Sequence, residues 1–114
     1  MFSKKLEYGY LILKFLKDTN ELKLKSGKEI IESTKIPYNM GLSILTELST
    51  GNLIKSIKGK NGGFYRENKD ITLLDLFQVL ENKKIIKTFS NSEYEKEVLR
   101  IGVIVLEKMN EIII

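Results

Sequence analysis

The residues best placed to do chemistry in this sequence are lysines set among glycines, in Lys58-Gly59-Lys60-Asn61-Gly62-Gly63. Glycine supplies the positive φ angles of a tight turn and lets the backbone come close to a phosphate, while lysine displaces counterions from a polyanion. A nucleotide-binding loop is the competing chemistry. It needs Gly-Lys-Ser/Thr directly before a helix, and here the strand-like Phe64-Tyr65-Arg66 follows instead. Composition excludes most other reactions. The chain has no cysteine and no histidine, which removes disulfides, thiolate nucleophiles, Ser-His-Asp and Cys-His catalysis, thiolate ligation of iron–sulfur clusters and the usual zinc sites. Carboxylate and backbone oxygens would suit magnesium or calcium, but no loop of that kind is recognisable. No metal or cofactor is expected. No base, nucleophile or metal constellation converges by spacing, so an enzyme has no support.

Charge extends the reading beyond the glycine loop. The net charge is +4, but residues 1–69 carry 13 Lys/Arg against 7 Asp/Glu and residues 70–114 carry 6 against 8. A basic front and a mildly acidic back suggest that the N-terminal part meets a polyanion; chance segregation on a lysine-rich surface is the plain alternative. With 114 residues, 42% apolar and 30% charged, one packed domain is expected. No run approaches the roughly 20 apolar residues of a membrane span. The start Met1-Phe2-Ser3-Lys4-Lys5 lacks the apolar stretch of a signal peptide. A cytoplasmic protein without a membrane partner is the expectation.

The elements that must position the loop can be read from periodicity and caps. The first 19 residues read as a helix, with Leu6, Gly9, Leu13 and Leu16 on one face, Tyr10, Ile12 and Phe15 widening it, and Asp18-Thr19-Asn20 ending it. A short apolar segment, Leu22 and Leu24, precedes Ser26-Gly27-Lys28-Glu29, a capping box that opens a short helix with Ile30 and Ile31. Pro37 fits the first turn of a third helix carrying Leu42, Leu45 and Leu48 with Ile44 beside them, and Gly51-Asn52 is its stop. Two helices joined by Ser33-Thr34-Lys35-Ile36 have the size of a helix-turn-helix, although spacing alone favours a generic helical hairpin. The hairpin that follows, Leu53 to Ile57 and Phe64 to Arg66, sits where a wing would. Thr72-Leu73-Leu74-Asp75 is a second capping box, opening a helix through about Glu81 with Leu73, Leu76, Phe77 and Leu80 on its apolar face. Residues 82–92 are polar and lysine-rich and read as a connector. The last helix, about Ser92 to Asn110, is apolar almost all round from Val98 to Leu106, which points to a subunit interface. Gly102 at its middle suits either close approach of a partner backbone or a tight spot in the monomer.

Three blocks in this order resemble the Rrf-two family of bacterial winged-helix transcription regulators. Phe2-Ser3-Lys4-Lys5-Leu6-Glu7-Tyr8-Gly9 is similar to the family's Leu-Ser-x-Lys-x-x-Tyr-Ala start. Ile36 to Ile54 resembles its recognition helix, with Ile44, Leu45, Leu48, Asn52-Leu53 and Ile54 in register. Ser56 to Phe64, followed by Asp70-Ile71-Thr72-Leu73-Leu74-Asp75, resembles its wing and the Ile-Thr-Leu-x-Asp sequel. There are two departures. Cluster-sensing members place three cysteines between the helix after the wing and the dimerisation helix, and Asn82 to Glu95 has none. In the recognition helix the family's serines become Pro37 and Asn39, its tyrosine Met40, its leucine Gly41 and a frequent glutamate Leu42.

The resemblance implies a mainly α fold with a small β-hairpin: a winged helix-turn-helix over residues 1–81, a connector over 82–91 and a dimerisation helix over 92–114. It implies a homodimeric, sequence-specific DNA-binding transcription regulator, in the repressing direction, that does not sense through an iron–sulfur cluster. Its partner would be a palindromic double-stranded operator, and a small-molecule or protein effector is left unspecified. The implied DNA contacts are Ser3, Lys4 and Lys5 at the first helix, Tyr38, Asn39 and Ser43 on the recognition helix, and Lys58, Lys60 and Asn61 on the wing. The implied dimer contacts are Val98, Ile101, Gly102, Val105 and Met109. The alternative is a winged-helix interaction module that has lost specific operator binding, as Met40, Gly41 and Leu42 could suggest.

Overall fold

Ser3 starts the first helix. Its hydroxyl accepts the Leu6 N–H at 3.2 Å, one of the donors that a helix start leaves unpaired, and its carbonyl accepts the first intrahelical bond, from the Glu7 N–H at 3.1 Å. In this computed structural model, which describes residues 3–18, 24–90 and 95–114 (82–90 and 95–99 as backbone), α1 runs Lys4–Asp18. It buries Leu6, Gly9, Ile12, Leu13 and Leu16 on one helical face. Ser26 caps α2 (Gly27–Thr34) as its pattern predicts, accepting the Glu29 N–H at 3.1 Å. Lys35 then takes left-handed backbone at φ 58°, and its N–H returns to the Ile31 carbonyl. This single residue turns the chain into α3 (Tyr38–Thr50). Pro37 stands one position before the first turn of α3, because its ψ of 134° is still extended.

The inward stripe of α3 is Gly41, Ile44, Leu45 and Leu48, and Leu42 is exposed rather than on the stripe. The shift has a packing cause: α2 lies so close that a Cβ at position 41 would meet Ile31 Cγ1 at 2.7 Å. Asn52, at φ 64°, takes the left-handed conformation at the stop. The N–H groups of Leu53 and Ile54 both return to the Leu48 carbonyl, at 2.9 and 3.4 Å. Those two residues are thereby withdrawn from the hairpin, and β1 is Lys55–Ile57, shorter than the apolar run suggests. It pairs antiparallel with β2 (Gly63–Tyr65), with Ser56 opposite Phe64. Lys25 adds a third rung, exchanging N–H···O bonds of 2.9 and 2.8 Å with Phe64.

Thr72 and Asp75 form the reciprocal box: Thr72 N–H donates to Asp75 Oδ2 at 2.9 Å and Asp75 N–H to Thr72 Oγ1 at 3.1 Å. This box opens α4 (Leu73–Ser90). The helix continues past Glu81, where a connector is expected, because the run to Ser90 contains neither glycine nor proline to stop it. Glu81 itself is non-helical (φ −128°, ψ 16°), so α4 kinks there. The Ser3 hydroxyl donates to the buried Glu81 carboxylate and ties the kink to the start of α1. Helix α5 (Glu95–Glu111) packs along α4, which in turn packs on α1 and α3. The chain then comes back to where α4 began. The Leu73 N–H donates to the Ile112 carbonyl and the Ile114 N–H to the Ile71 carbonyl, both at 2.8 Å. Helix α5 is therefore antiparallel to α4.

The core beneath these elements is aliphatic, with Ile12, Leu13, Ile30, Ile44, Leu45, Leu48, Ile54, Ile71 and Leu76 fully buried and Ile114 closing one side. The molecule measures 52 × 26 × 21 Å, with a radius of gyration of 15.5 Å. A compact globule of this length has about 13 Å. Among the described residues no helix is long and apolar enough to cross a membrane. The expected break at Thr19-Asn20, Leu22 and the side chains of 82–99, Val98 included, lie outside the described residues.

Candidate nucleic-acid interface

The exposed start of α3 carries Tyr38, Asn39, Met40, Leu42 and Ser43. All three residues assigned to this helix by sequence, Tyr38, Asn39 and Ser43, face solvent there. The wing stands beside it: the open position at Gly27 lies 3.6 Å from both Leu42 Cδ2 of α3 and Phe64 Cε2 of β2. At the wing tip Lys58, Lys60 and Asn61 are exposed. The glycines there are sterically required. Gly59 has φ 114°, the Gly62 N–H closes the turn on the Gly59 carbonyl at 3.1 Å, and a Cβ on Gly62 would sit 1.9 Å from the Ile57 carbonyl oxygen. Exposed lysines on a backbone loop of this kind suit phosphate.

The start of α1 is more heavily engaged than its sequence suggests. The Ser3 hydroxyl is used inside the chain, by Leu6 and Glu81. Lys4, largely exposed, lies 3.4 Å from Glu7. Lys5 donates to Glu47 Oε1 of α3 at 2.7 Å, and Glu47 Oε2 is buried without a hydrogen-bond partner. This pair, 42 residues apart in sequence, ties α1 to α3, and no local signal announces it.

Arg66 also escapes a reading by sequence. It follows β2 directly and is only 3% exposed. Its Nη1 donates to the Leu13 carbonyl at 2.9 Å, Nη2 to the main-chain oxygen of Ile114 at 2.6 Å and to Lys69 at 3.4 Å, and Nε to Asn68 at 2.8 Å. Lys17 Nζ reaches the same Ile114 oxygen at 3.0 Å. Burial lowers the pKa of this guanidinium from its ordinary value, and Asp18 and Asp70 oppose the shift. The wing root, α1 and the returning C-terminal segment thus meet at one side chain.

On α5 the expected dimer residues divide. Gly102 and Met109 are buried by the chain's own packing, the second of the two expectations for Gly102, and Val105 is half-buried. Ile101 is 59% exposed, with Val103 and Ile104 beside it at 53% and 52%.

A helix-turn-helix followed at once by a glycine-turned hairpin defines a winged helix-turn-helix. The comparisons with known proteins agree on the fold and on the family. The model of the Rrf2 family, described as an iron-dependent transcriptional regulator, matches residues 2–112, and the chain belongs to that family. The structure of CymR, the global cysteine regulator of B. subtilis, is similar at 26% identity over 99% of this chain and 92% of that one, with a TM-score of 0.77. T. potens IscR is similar at 24% identity over 99% and 82%, also with a TM-score of 0.77. Staphylococcus aureus CymR follows at 23% identity over 97% and 92%, with a TM-score of 0.73. No curated protein matches the chain. The family's members are DNA-binding transcription regulators, not enzymes. Iron does not fit the residues present: the sequence holds neither cysteine nor histidine, and the described residues form no group of three or more His, Cys, Asp or Glu side chains able to hold a metal.

Proposed function

We propose that this chain is a cytoplasmic, homodimeric repressor that binds a palindromic operator and does not sense through an iron–sulfur cluster. The observation that carries the reading is the exposed start of α3 beside the lysine-tipped wing on one side of a compact head. In such a head the recognition helix enters the major groove by its N-terminal end. Asn39 pairs with an adenine edge, Tyr38 and Ser43 supply further polar contacts, and Lys58, Lys60 and Asn61 take phosphate or the adjacent minor groove. Lys4 and Lys5 contact backbone phosphates beside them. For Lys5 this exchanges Glu47 for a phosphate and leaves the Glu47 carboxylate, whose Oε2 is already buried without a hydrogen-bond partner, without its cation. Residues 1–81 are the reading head and 92–114 the dimerising element. The exposed Ile101, Val103 and Ile104 supply the apolar surface through which two copies join, placing two heads on half-sites related by a two-fold axis. The signal is a small molecule or a partner protein, or the chain acts with no effector at all.

The test is fluorescence anisotropy of the full chain on its own upstream DNA at several salt concentrations, with excess random-sequence competitor. Tight, competitor-resistant binding of one dimer is expected. Binding that competitor abolishes equally for every sequence would overturn the operator reading in favour of a winged-helix interaction module.

A further inference from the structure

We infer that the half-site under α3 is built of A·T pairs and is read through thymine methyl groups; this rests on the operator reading above. Helix α3, YNMGLSILTELST, contains no arginine, lysine, glutamine or aspartate. Its one charge, Glu47, is held by Lys5 at 2.7 Å, about two and a half turns from the helix start at Tyr38. The major groove shows guanine to arginine and lysine, cytosine to a carboxylate, adenine to asparagine or glutamine, and thymine to apolar groups. The exposed start of α3 offers the last two, together with the Ser43 and Tyr38 hydroxyls, which can bond to any base and so discriminate little.

Its apolar members stand outside the buried core of the head. Tyr38, Met40 and Leu42 are 56%, 41% and 39% exposed, three large apolar side chains within five positions. Helical spacing sets Tyr38 over Leu42 and, one stripe across, Asn39 over Ser43. An A·T pair shows adenine N6 and N7 beside the thymine methyl on the same groove floor, so an amide stripe next to an apolar stripe matches it. Leu42 stands next to the start of α2, its Cδ2 3.6 Å from where a Cβ on Gly27 would be. The wing favours the same composition: A-tracts have a narrow minor groove of enhanced negative potential, and Lys58 and Lys60 are the charges that would enter it.

The test begins with selection of bound duplexes from a random library by the full chain, expected to enrich a palindrome with A·T pairs in each half-site. Each half-site thymine is then replaced by deoxyuracil, which deletes the 5-methyl group and keeps every hydrogen-bonding group. Binding is expected to weaken about fourfold for each methyl buried. In Leu42→Ala and Met40→Ala, both at exposed positions and checked for fold by circular dichroism, thymine and uracil duplexes are expected to bind nearly alike. Equal binding of both duplexes by the unaltered chain would overturn methyl reading, and so would enrichment of G·C half-sites, while operator binding itself would stand. Enrichment of no sequence would overturn both readings together.

Discussion

Replacing Arg66 with methionine keeps the length and apolar stem of the side chain and removes five N–H donors at once. Four main-chain oxygens lose a partner, of which those of Leu13 and Ile114 lie in buried surroundings and those of Asn68 and Lys69 are partly open to water. A buried acceptor left unpaired costs about 1–3 kcal/mol, and Ile114 is partly protected because Lys17 still reaches it at 3.0 Å. Methionine also escapes the cost of burying a guanidinium, which offsets part of the loss. The net expectation is a destabilisation of about 2–4 kcal/mol, which at roughly 4 °C per kcal/mol for a chain of this size lowers Tm by about 8–16 °C. Arg66→Lys keeps the charge without the planar fork and is expected to fall between the two. Thermal circular dichroism at one fixed protein concentration measures this, since any self-association makes Tm concentration-dependent. A Tm for Arg66→Met within about 2 °C of the parent would refute the reasoning, because it would mean that water satisfies those oxygens and the side chain holds nothing together.

Three further outcomes are expected. Ile101→Glu, at an exposed position, is expected to leave the circular dichroism spectrum unchanged and yield monomers by light scattering; a persisting dimer would remove α5 as the interface. Lys58→Ala combined with Lys60→Ala removes two lysines from each of the two wings of a dimer and is expected to flatten the slope of log affinity against log salt by roughly 4 and to weaken all sequences alike, and an unchanged slope would take the wing off the phosphates. Thr72→Ala removes one half of the capping box and is expected to cost about 1 kcal/mol, with Thr72→Ser restoring it, as read by urea midpoints.

What could be read from the sequence and what could not divide by the range of the interactions. Ser26 with Glu29 and Thr72 with Asp75 close within three residues, so their side-chain chemistry announces them wherever the rest of the chain goes. The wing turn is equally local, since it depends on which residues tolerate φ 114° or a carbonyl 1.9 Å from a Cβ. Arg66 answers to Leu13 and Ile114, 53 and 48 residues away, and in the sequence it looks like any residue at a strand end. The same holds for Lys5 with Glu47 and for the rung that Lys25 adds to the wing. Helix α5 resisted for another reason. Its middle, Ile101 to Leu106, is apolar all round, so no polarity contrast there marks the face that turned inward at Gly102 against the one left open at Ile101 and Ile104. Leu42 was misplaced by one helical stripe, because the absence of a side chain at Gly41, where α2 sits closest, was itself the packing signal.

The return of the C-terminal segment to Ile71 and Leu73 has an architectural consequence. Helix α4 starts packed in the head on α1 and α3, and after α5 the chain comes back within one hydrogen bond of the point where α4 began. An excursion whose two ends coincide can be lengthened, shortened or exchanged without rerouting the chain beneath it, and each doubling of its length adds only about 0.6 kcal/mol of closure entropy. The arm is in that sense a cassette plugged into a socket, the socket being the carbonyl of Ile71, the box at Thr72 and the Arg66 fork. A head of this design can therefore accept an arm of different length and sequence beyond the kink at Glu81, as long as the two plugs are kept.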